Sequence, residues 1–345
     1  MQLFLSVLLL ISSSLFSQEL FVQKEEKNLY RSAVEYSFDE VLDNGSYTFL
    51  FEQINGMINI IGHAGSGTHL IIDNRVHAFS NKNAISILKN SQINVYHDKI
   101  EKVIRIKKMS ERYDHKIIGK IDLHLPFNTN LRGVIKNSDL TISKVRGTIA
   151  INTESTDSDL NSLNGNINIS TRGGSISATK LSGEMELSVV SGDINIFDCD
   201  ANSMLTMDNG NIFINGLKGN LLSNTTLGET LVSNYEGENS VFNINVGNLK
   251  INKSKSNINA TIDIGSVNIN NIQGTTTIFT GKGEINLNNI IGDVNCNTNF
   301  GNVNGINLFG KINANSELGD IEINKGYNSF LKDHSVNIAT KRGSI

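Results

Sequence analysis

Glycine recurs at a nine-residue interval through the second half of the chain. The repeat glycines run from Gly165 to Gly319, and successive ones lie 9 or 18 residues apart, except for a single step of 10. Where the step is 18, the skipped position holds Ala201 or Ser256, which are also small residues. A constant period of this kind indicates a stack of similar structural units.

Each unit has the pattern of a short β-strand followed by a turn. The second and fourth residues after a repeat glycine are apolar in most units, as in Ile194 and Ile196 after Gly192. The residues around them are mostly polar, often asparagine, and alternation with a period of two predicts a strand with one buried face. Glycine is expected at the corner because it relieves the backbone there. Asparagines that recur every 18 residues are expected to hydrogen-bond along the stack.

The two kinds of turn are not equivalent. The residue two places before each repeat glycine alternates between apolar and non-apolar, with Ser254 and Val190 as the exceptions. This alternation predicts a true repeat of 18 residues that contains two strands and two different corners. The expected fold class is therefore all-β: a parallel β-solenoid with about 18 residues per two-strand coil, strands about 4.8 Å apart and a core about 10 Å thick.

Three segments are predicted along the chain. Residues 1–18 contain an apolar run of signal-peptide length followed by small residues, which predicts export and no transmembrane segment after cleavage. Residues 19–140 are less periodic and are expected to form an irregular β segment that caps the solenoid, and residues 141–345 are expected to form its regular repeats. Within the cap, we expect a short helix in residues 22–41 and two or three strands in residues 83–109.

Four segments carry a resemblance to a known family: FEQINGMINIIGH, KIDLHLPFNTNL, VRGTIAIN and VSGDINIF. Their order is similar to that of the putative-adhesin β-repeat family, a group of exported bacterial proteins containing a domain of unknown function with Ser-Gly-Asp-Ile repeats. The resemblance runs from about residue 48 to the end of the chain, with Leu125-Pro126 where the family has Val-Pro. It implies a right-handed parallel β-solenoid and a location in the cell envelope. The family has no catalytic residues to carry over.

Metal, redox and nucleic-acid functions find little support in the composition. A net charge of -4 disfavours nucleic acid as a partner. Cys199 and Cys296 are the only cysteines, and more than five predicted coils separate them, so we expect both to pack in the core without a disulfide. The seven histidines are scattered, without the spacing of metal ligands. We therefore predict no metal site and no cofactor.

An enzyme remains the main alternative, because exported β-solenoids include polysaccharide lyases and hydrolases. Glycoside cleavage needs carboxylates held about 5 to 9.5 Å apart. The acidic and amide residues that follow one class of glycine are Asp193, Asn211, Glu229, Glu284, Asn302 and Asp320. Because amides interrupt this row, we interpret its members as solvated turn residues and assign no catalytic residue.

Two further motifs are interpreted as structural. A calcium-binding β-roll would need Gly-Gly-x-Gly-x-Asp in each unit, whereas this chain supplies one glycine and usually an asparagine. The segment GHAGSGTH, residues 62–69, lacks the Gly-Lys-Ser/Thr of a phosphate-binding loop and is expected to be a turn between strands.

The leading hypothesis is a non-enzymatic exported envelope protein with an adhesin or scaffold role, which presents an elongated β-surface to a glycan or to another envelope protein. The alternatives are a polysaccharide-active β-helix enzyme and a periplasmic sensor or regulatory partner. The expected location is the periplasm, the outer membrane or the outside of the cell. Ligand identity and oligomeric state stay open at this point.

Overall fold

A computed structural model describes residues 21–90, 92–109, 117–331 and 333–345. The predicted signal peptide, residues 1–18, lies outside the described residues. The first part of the chain contains the following elements: β1 (Gln23–Glu26), β2 (Leu29–Phe38), β3 (Thr48–His63), β4 (Thr68–His77), α1 (Asn81–Asn90), β5 (Ile93–Asp98), β6 (Val103–Lys108) and β7 (Ile117–Pro126).

The remainder of the described chain consists of strands. They are β8 (Asn130–Ser143), β9 (Arg146–Asn161), β10 (Asn164–Thr171), β11 (Ile176–Thr179), β12 (Ser182–Ser191), β13 (Ile194–Asn209), β14 (Ile212–Lys218), β15 (Leu221–Leu227), β16 (Thr230–Val246), β17 (Leu249–Ile264), β18 (Val267–Gln273), β19 (Thr276–Lys282), β20 (Ile285–Ile291), β21 (Val294–Phe300), β22 (Val303–Phe309), β23 (Ile312–Leu318), β24 (Ile321–Lys325) and β25 (Val336–Arg342).

These strands wind into a parallel β-solenoid of about 11 turns, which confirms the predicted fold class. Strands pair with strands one coil away, so Ile167 lies beside Met185 and Ile194 beside Ile212, an offset of 18 residues. The one longer glycine step appears as an irregularity in the β16–β17 pairing, after Glu236. Because each coil repeats the last in register, a feature at one position of the repeat becomes a row along the solenoid.

The repeat glycines lie at the corners, as predicted. We call the first corner the one that carries Gly174, Gly192, Gly210, Gly228, Gly247, Gly265, Gly283, Gly301 and Gly319. The backbone of Gly265 has φ +148°, and a Cβ atom there would lie 1.7 Å from the carbonyl oxygen of Gly247 on the preceding coil. The second corner carries the other repeat glycines together with Ala201 and Ser256, neither of which has a positive φ. From Gly174 to Gly319 the first corner has glycine on every coil, whereas the second corner accepts two small side chains over the same part of the solenoid.

Asparagine side chains form hydrogen-bonded ladders, which confirms their predicted stacking. On one sheet the Asn304 amide donates to Asn286 Oδ1 at 2.9 Å, and the Asn286 amide donates to Asn268 Oδ1 at 3.1 Å. At the corners a side-chain oxygen accepts a backbone N–H of the next coil, as Asn302 Oδ1 does from Asp320 at 2.9 Å. These bonds supply partners for polar groups that would otherwise be left to water at the turns.

One hydrophobic core runs between the two sheets, from Phe49 in an early coil to Ile321 in the last. Its side chains come from the inward positions of each strand, which are mainly isoleucine, leucine and valine. Branched aliphatic residues fit the pleated surface of a sheet, and their repetition at one position keeps the core continuous from coil to coil. The residues that alternate with them face outward.

The N-terminal end of the solenoid is closed by antiparallel strands. Strand β3 pairs on one side with β8 and on the other with β6 and β7, all in parallel. Strand β5 then adds antiparallel to β6, and β4, β2 and β1 add antiparallel beyond β7. Antiparallel hairpins end the parallel stack because they occupy the strand edges that a further coil would use.

One prediction for this cap is wrong, and another is confirmed but incomplete. Residues 22–41 form the β1–β2 hairpin and no helix, because alternate residues Tyr30 and Ser32 of β2 are buried and favour a strand. Residues 83–109 contain two strands, β5 and β6, as predicted, but α1, which was not predicted, precedes them. There the Ser80 hydroxyl accepts the Asn83 N–H at 3.2 Å as a helix cap, and Ala84 and Leu88, four residues apart, are buried.

Candidate functional site

The row of acidic and amide residues lies along the first corner, where side-chain oxygens accept backbone N–H groups of the next coil. Asp193 Oδ1 accepts the Asn211 N–H at 2.8 Å, and Asn211 Oδ1 accepts the Glu229 N–H at 3.0 Å. A hydrogen bond from the Asn248 amide to Glu229 keeps the pKa of that carboxyl below its usual value. The row is therefore a set of corner hydrogen bonds in which an amide separates one acid from the next.

Potential metal ligands are dispersed over the part of the chain that the structure describes. Among the residues it describes, no group of three or more histidine, cysteine, aspartate or glutamate side chains is placed to hold a metal ion. The segment 62–69 forms the turn between β3 and β4, with His63 Nδ1 3.0 Å from the Ala64 carbonyl oxygen and His69 Nε2 3.6 Å from a Glu35 oxygen. These contacts are local to the turn and to the neighbouring strand.

Both cysteines are free thiols packed in the core, as predicted. Burial raises the pKa of the Cys296 thiol to about 12, and burial also raises the pKa of Cys199. Because their pKa values are raised, both thiols are protonated near neutral pH, and only the thiolate form is reactive.

We expect the native protein to react with no more than a trace of a thiol-specific disulfide reagent at pH 8. Addition of denaturant should release two equivalents, and prompt reaction of the native protein would contradict this packing.

A groove of about 530 Å³ runs along the second-corner edge of the solenoid. We call it the edge groove. Its lining residues are Asn234, Tyr235, Glu236, Lys253, Ser254, Lys255, Asn271, Ile272, Gln273, Asn289, Ile291 and Phe309. These residues occupy three adjacent positions of the repeat on successive coils, so they form a floor and two walls.

The floor of the edge groove contains a serine at a position that is otherwise mostly apolar. Tyr235, Ser254 and Ile272 are stacked on successive coils at an inward position that is apolar in most other coils. The Ser254 hydroxyl is buried and has no hydrogen-bond partner among the described residues. Ser254 was the exception in the apolar corner series, so the sequence carried a signal for this site that was not interpreted as one.

One wall of the edge groove consists of residues in the left-handed conformation. Asn234, Lys253, Asn271 and Asn289 have φ between 51° and 60°. Asparagine enters this region more readily than other non-glycine residues, which explains its recurrence here. The Asn289 amide donates to Asn271 Oδ1 at 3.0 Å, and the Asn271 amide donates to Asn252 Oδ1 at 3.1 Å. Each amide nitrogen has two N–H donors, so one donor per residue stays available to a ligand.

The other wall changes from charged to apolar along the axis. Glu236, Lys255, Gln273, Ile291 and Phe309 are stacked on successive coils. Lys255 Nζ lies 4.0 Å from Glu236 Oε1, whereas Lys253 on the facing wall forms no ion pair in the part of the chain that the structure describes. The groove thus offers one ammonium group without a counter-ion, several amide donors and, at one end, two apolar side chains.

No family model and no curated protein matches this chain. Among solved structures, the chain is similar to a putative cell adhesion protein from Clostridium sporogenes, with 11% sequence identity and a TM-score of 0.29. That comparison covers 69% of this chain and 98% of the other. A likeness at this level leaves the function to be argued from the chemistry of the edge groove. None of the described helices has the length and apolar character needed to cross a membrane.

Proposed function

We propose that this protein is an exported, non-enzymatic adhesin or scaffold that binds a glycan in the edge groove. The observation that carries the proposal is the groove itself, in which amide donors, an unpaired ammonium group and apolar surface line one continuous channel across several coils. Residues 1–18 would direct export, and the site of action would be the periplasm, the outer membrane or the cell exterior.

The hydrogen-bonding groups of the groove favour a hydroxyl-rich ligand over an extended peptide. A peptide that joins a sheet needs free backbone N–H and C=O groups at a strand edge. Along the sides of the solenoid these groups are already paired with the coils above and below. Recognition in the groove therefore falls to side chains, and amide and ammonium donors suit the hydroxyl and ring oxygens of sugars.

The repeat of the groove also matches a polymeric ligand. The left-handed wall places an amide or ammonium donor on each of four coils, about 4.8 Å apart, at Asn234, Lys253, Asn271 and Asn289. This rise is close to the length of one pyranose residue, so each successive sugar would meet a donor of this wall. Such a match supports binding of a linear glycan in preference to a small molecule, which would use only one or two coils.

The lining of the groove supports binding without cleavage. Glu236 is the only carboxylate among its twelve described lining residues, and Lys255 lies 4.0 Å from it. Glycoside hydrolysis ordinarily requires a second carboxyl group across the bond to be cleaved. With the acids of the first corner on the opposite edge and engaged in turns, we propose that the protein holds its ligand unchanged.

The proposal is tested by measuring binding of the purified protein to a panel of neutral and acidic polysaccharides with calorimetry. We expect the double variant Lys253→Ala/Gln273→Ala to weaken the best ligand by at least about tenfold, because both side chains line the groove and form no ion pair or hydrogen bond within the described chain that would be lost with them. Thr277→Ala, an exposed change on an outward sheet position away from the groove, is the matched control and should bind as the unchanged protein does.

Two results would overturn the proposal. One is the absence of binding to every member of the panel, or binding that the groove variant leaves unchanged. The other is the appearance of new reducing ends or unsaturated products during incubation, which would identify an enzyme.

A further inference from the structure

An exposed apolar row lies on the edge opposite the groove, immediately before the first corner. Strand register stacks its members on successive coils. In order they are Leu227, Val246, Ile264, Lys282, Phe300 and Leu318, and we call them the apolar ridge. The row spans five coil steps, about 24 Å at the spacing of parallel strands.

The ridge is not explained by the fold. Its five hydrophobic side chains are 38–51% exposed, although the alternation of the strands would place polar residues at an outward position. In the two preceding coils this position holds Ser191 and Asn209. Contiguous exposed apolar patches of a few hundred Å² commonly mark interaction surfaces. The change from polar to apolar midway along the solenoid therefore points to a partner for the C-terminal half.

We propose that the apolar ridge docks against the same ridge of a second copy of this chain, in an antiparallel arrangement with the two-fold axis between Ile264 and Lys282. Val246 then meets Phe300 of the second copy, and Leu227 meets its Leu318. A two-fold interface of this kind uses one surface on both copies, so a single row of apolar side chains suffices to form it.

Charge complementarity selects this register. Asp263 and Glu317 lie one place before ridge residues, and Asp208 lies at the same place one coil before the ridge begins. Beyond Leu318 the row continues to Arg342, which follows Lys341, the ion-pair partner of Glu317. Antiparallel docking about the stated axis brings Lys282 beside Asp263 of the second copy. It also brings Asp208 beside Arg342 of the second copy, whereas the neighbouring Lys341 is already paired with Glu317 of its own chain.

Four of these charged side chains are available for the contacts. Lys282, Asp263, Asp208 and Arg342 form no ion pair among the described residues, so docking would satisfy four groups that the single chain leaves exposed to solvent. On the other flank Glu229 would lie level with Asp320 of the second copy, but Lys250 lies 3.4 Å from Glu229 and offsets its charge.

A parallel arrangement is disfavoured by the same residues. It would place every ridge residue level with its own counterpart, so that Lys282 would face Lys282 and Arg342 would face Arg342. Like charges in contact oppose association, and desolvating them adds to the penalty. The antiparallel dimer would leave the two edge grooves on its outer sides, so that two binding sites could engage one surface together.

Sedimentation of the purified protein over a range of concentrations tests the proposal. We expect a reversible dimer with a micromolar dissociation constant, because the ridge is smaller than a standard interface. Lys282→Glu alone and Asp263→Lys alone should each weaken dimerisation by at least about tenfold, and the double variant Lys282→Glu/Asp263→Lys should return to within about threefold of the original. Rescue by the double change is the result that only this register predicts.

A matched control comes from Ile306, an exposed aliphatic residue away from the ridge, which is 55% exposed. Ile306→Asn should leave the dimer unchanged, whereas Ile264→Asn should weaken it. A protein that stays monomeric up to ~1 mM would overturn the proposal. So would a double charge reversal that fails to restore association. Neither outcome bears on glycan binding, because the groove lies on the other edge of the coil.

Discussion

Replacement of Gly265 by alanine is expected to lower the free energy of unfolding by at least about 3 kcal/mol. Its backbone has φ +148°, a region that residues with a side chain rarely adopt. A Cβ atom would also lie 1.7 Å from the Gly247 carbonyl oxygen, which is backbone and cannot turn aside as a side chain would. The two coils would have to separate at the first corner, and the ladder hydrogen bonds beside it would lengthen. Urea unfolding followed by circular dichroism measures the effect.

Gly45→Ala is the matched control, because it separates backbone strain from the close approach. Gly45 also has a positive φ, +72°, but nothing lies within 4 Å of its missing Cβ atom. We expect this change to destabilise the protein by only about 1 kcal/mol. If the two substitutions cost the same, the contact between corners would contribute little, and the glycine period would reflect backbone conformation alone.

The regular part of the fold was predictable because every coil satisfies the same requirements. Each regular coil repeats a buried strand face, a corner and the same 18-residue offset. The strand and corner positions found in one repeat therefore predict those in the other repeats. The two gaps in the glycine series were also informative. Ala201 and Ser256 both fall at the second corner, where the backbone at those positions takes a negative φ and a small side chain fits. The alternation of apolar and non-apolar residues before the repeat glycines thus corresponds to a structural difference between the two corners.

The N-terminal cap was less predictable because its contacts are not periodic. Thr48 pairs with Val103 on one side and with Asn130 on the other, so one coil is assembled from segments far apart in the chain. Short-range sequence patterns do not predict which distant segments pair with one another. The helix α1 was missed because its short apolar pattern also fits a strand, and only the Ser80 cap and the burial of Ala84 and Leu88 distinguish the two.

The edge groove was visible in the sequence only as an irregularity. Ser254 breaks an apolar series, and its neighbour Tyr235 is held at the corner, where the Tyr235 hydroxyl donates to a backbone carbonyl oxygen, either Gly219 at 2.8 Å or Asn239 at 3.0 Å. The apolar ridge gave no such signal, because single apolar residues beside a turn are common on protein surfaces.

The second large effect is expected at Phe242, which fills a gap in the core. Phe242 is fully buried, and its neighbours at the same inward position one coil away on either side are Ser223 and Ala260. Most other coils carry isoleucine or leucine at this position, so the single phenylalanine compensates for two small residues. We expect Phe242→Ala to lower the free energy of unfolding by about 4 kcal/mol, because three small residues in succession would leave a cavity that rigid strands cannot close.

Phe279→Ala is the control for this substitution, since Phe279 lies on an outward strand position and is 39% exposed. The loss there should be within about 0.5 kcal/mol. Adding Ala260→Leu to the Phe242→Ala protein should recover at least about 1 kcal/mol, because a larger side chain one coil away reaches into the same cavity. Equal losses at Phe242 and Phe279 would show that the core has no gap to fill. Phe242 would then not compensate for Ser223 and Ala260, and volume at this position would not be shared between coils.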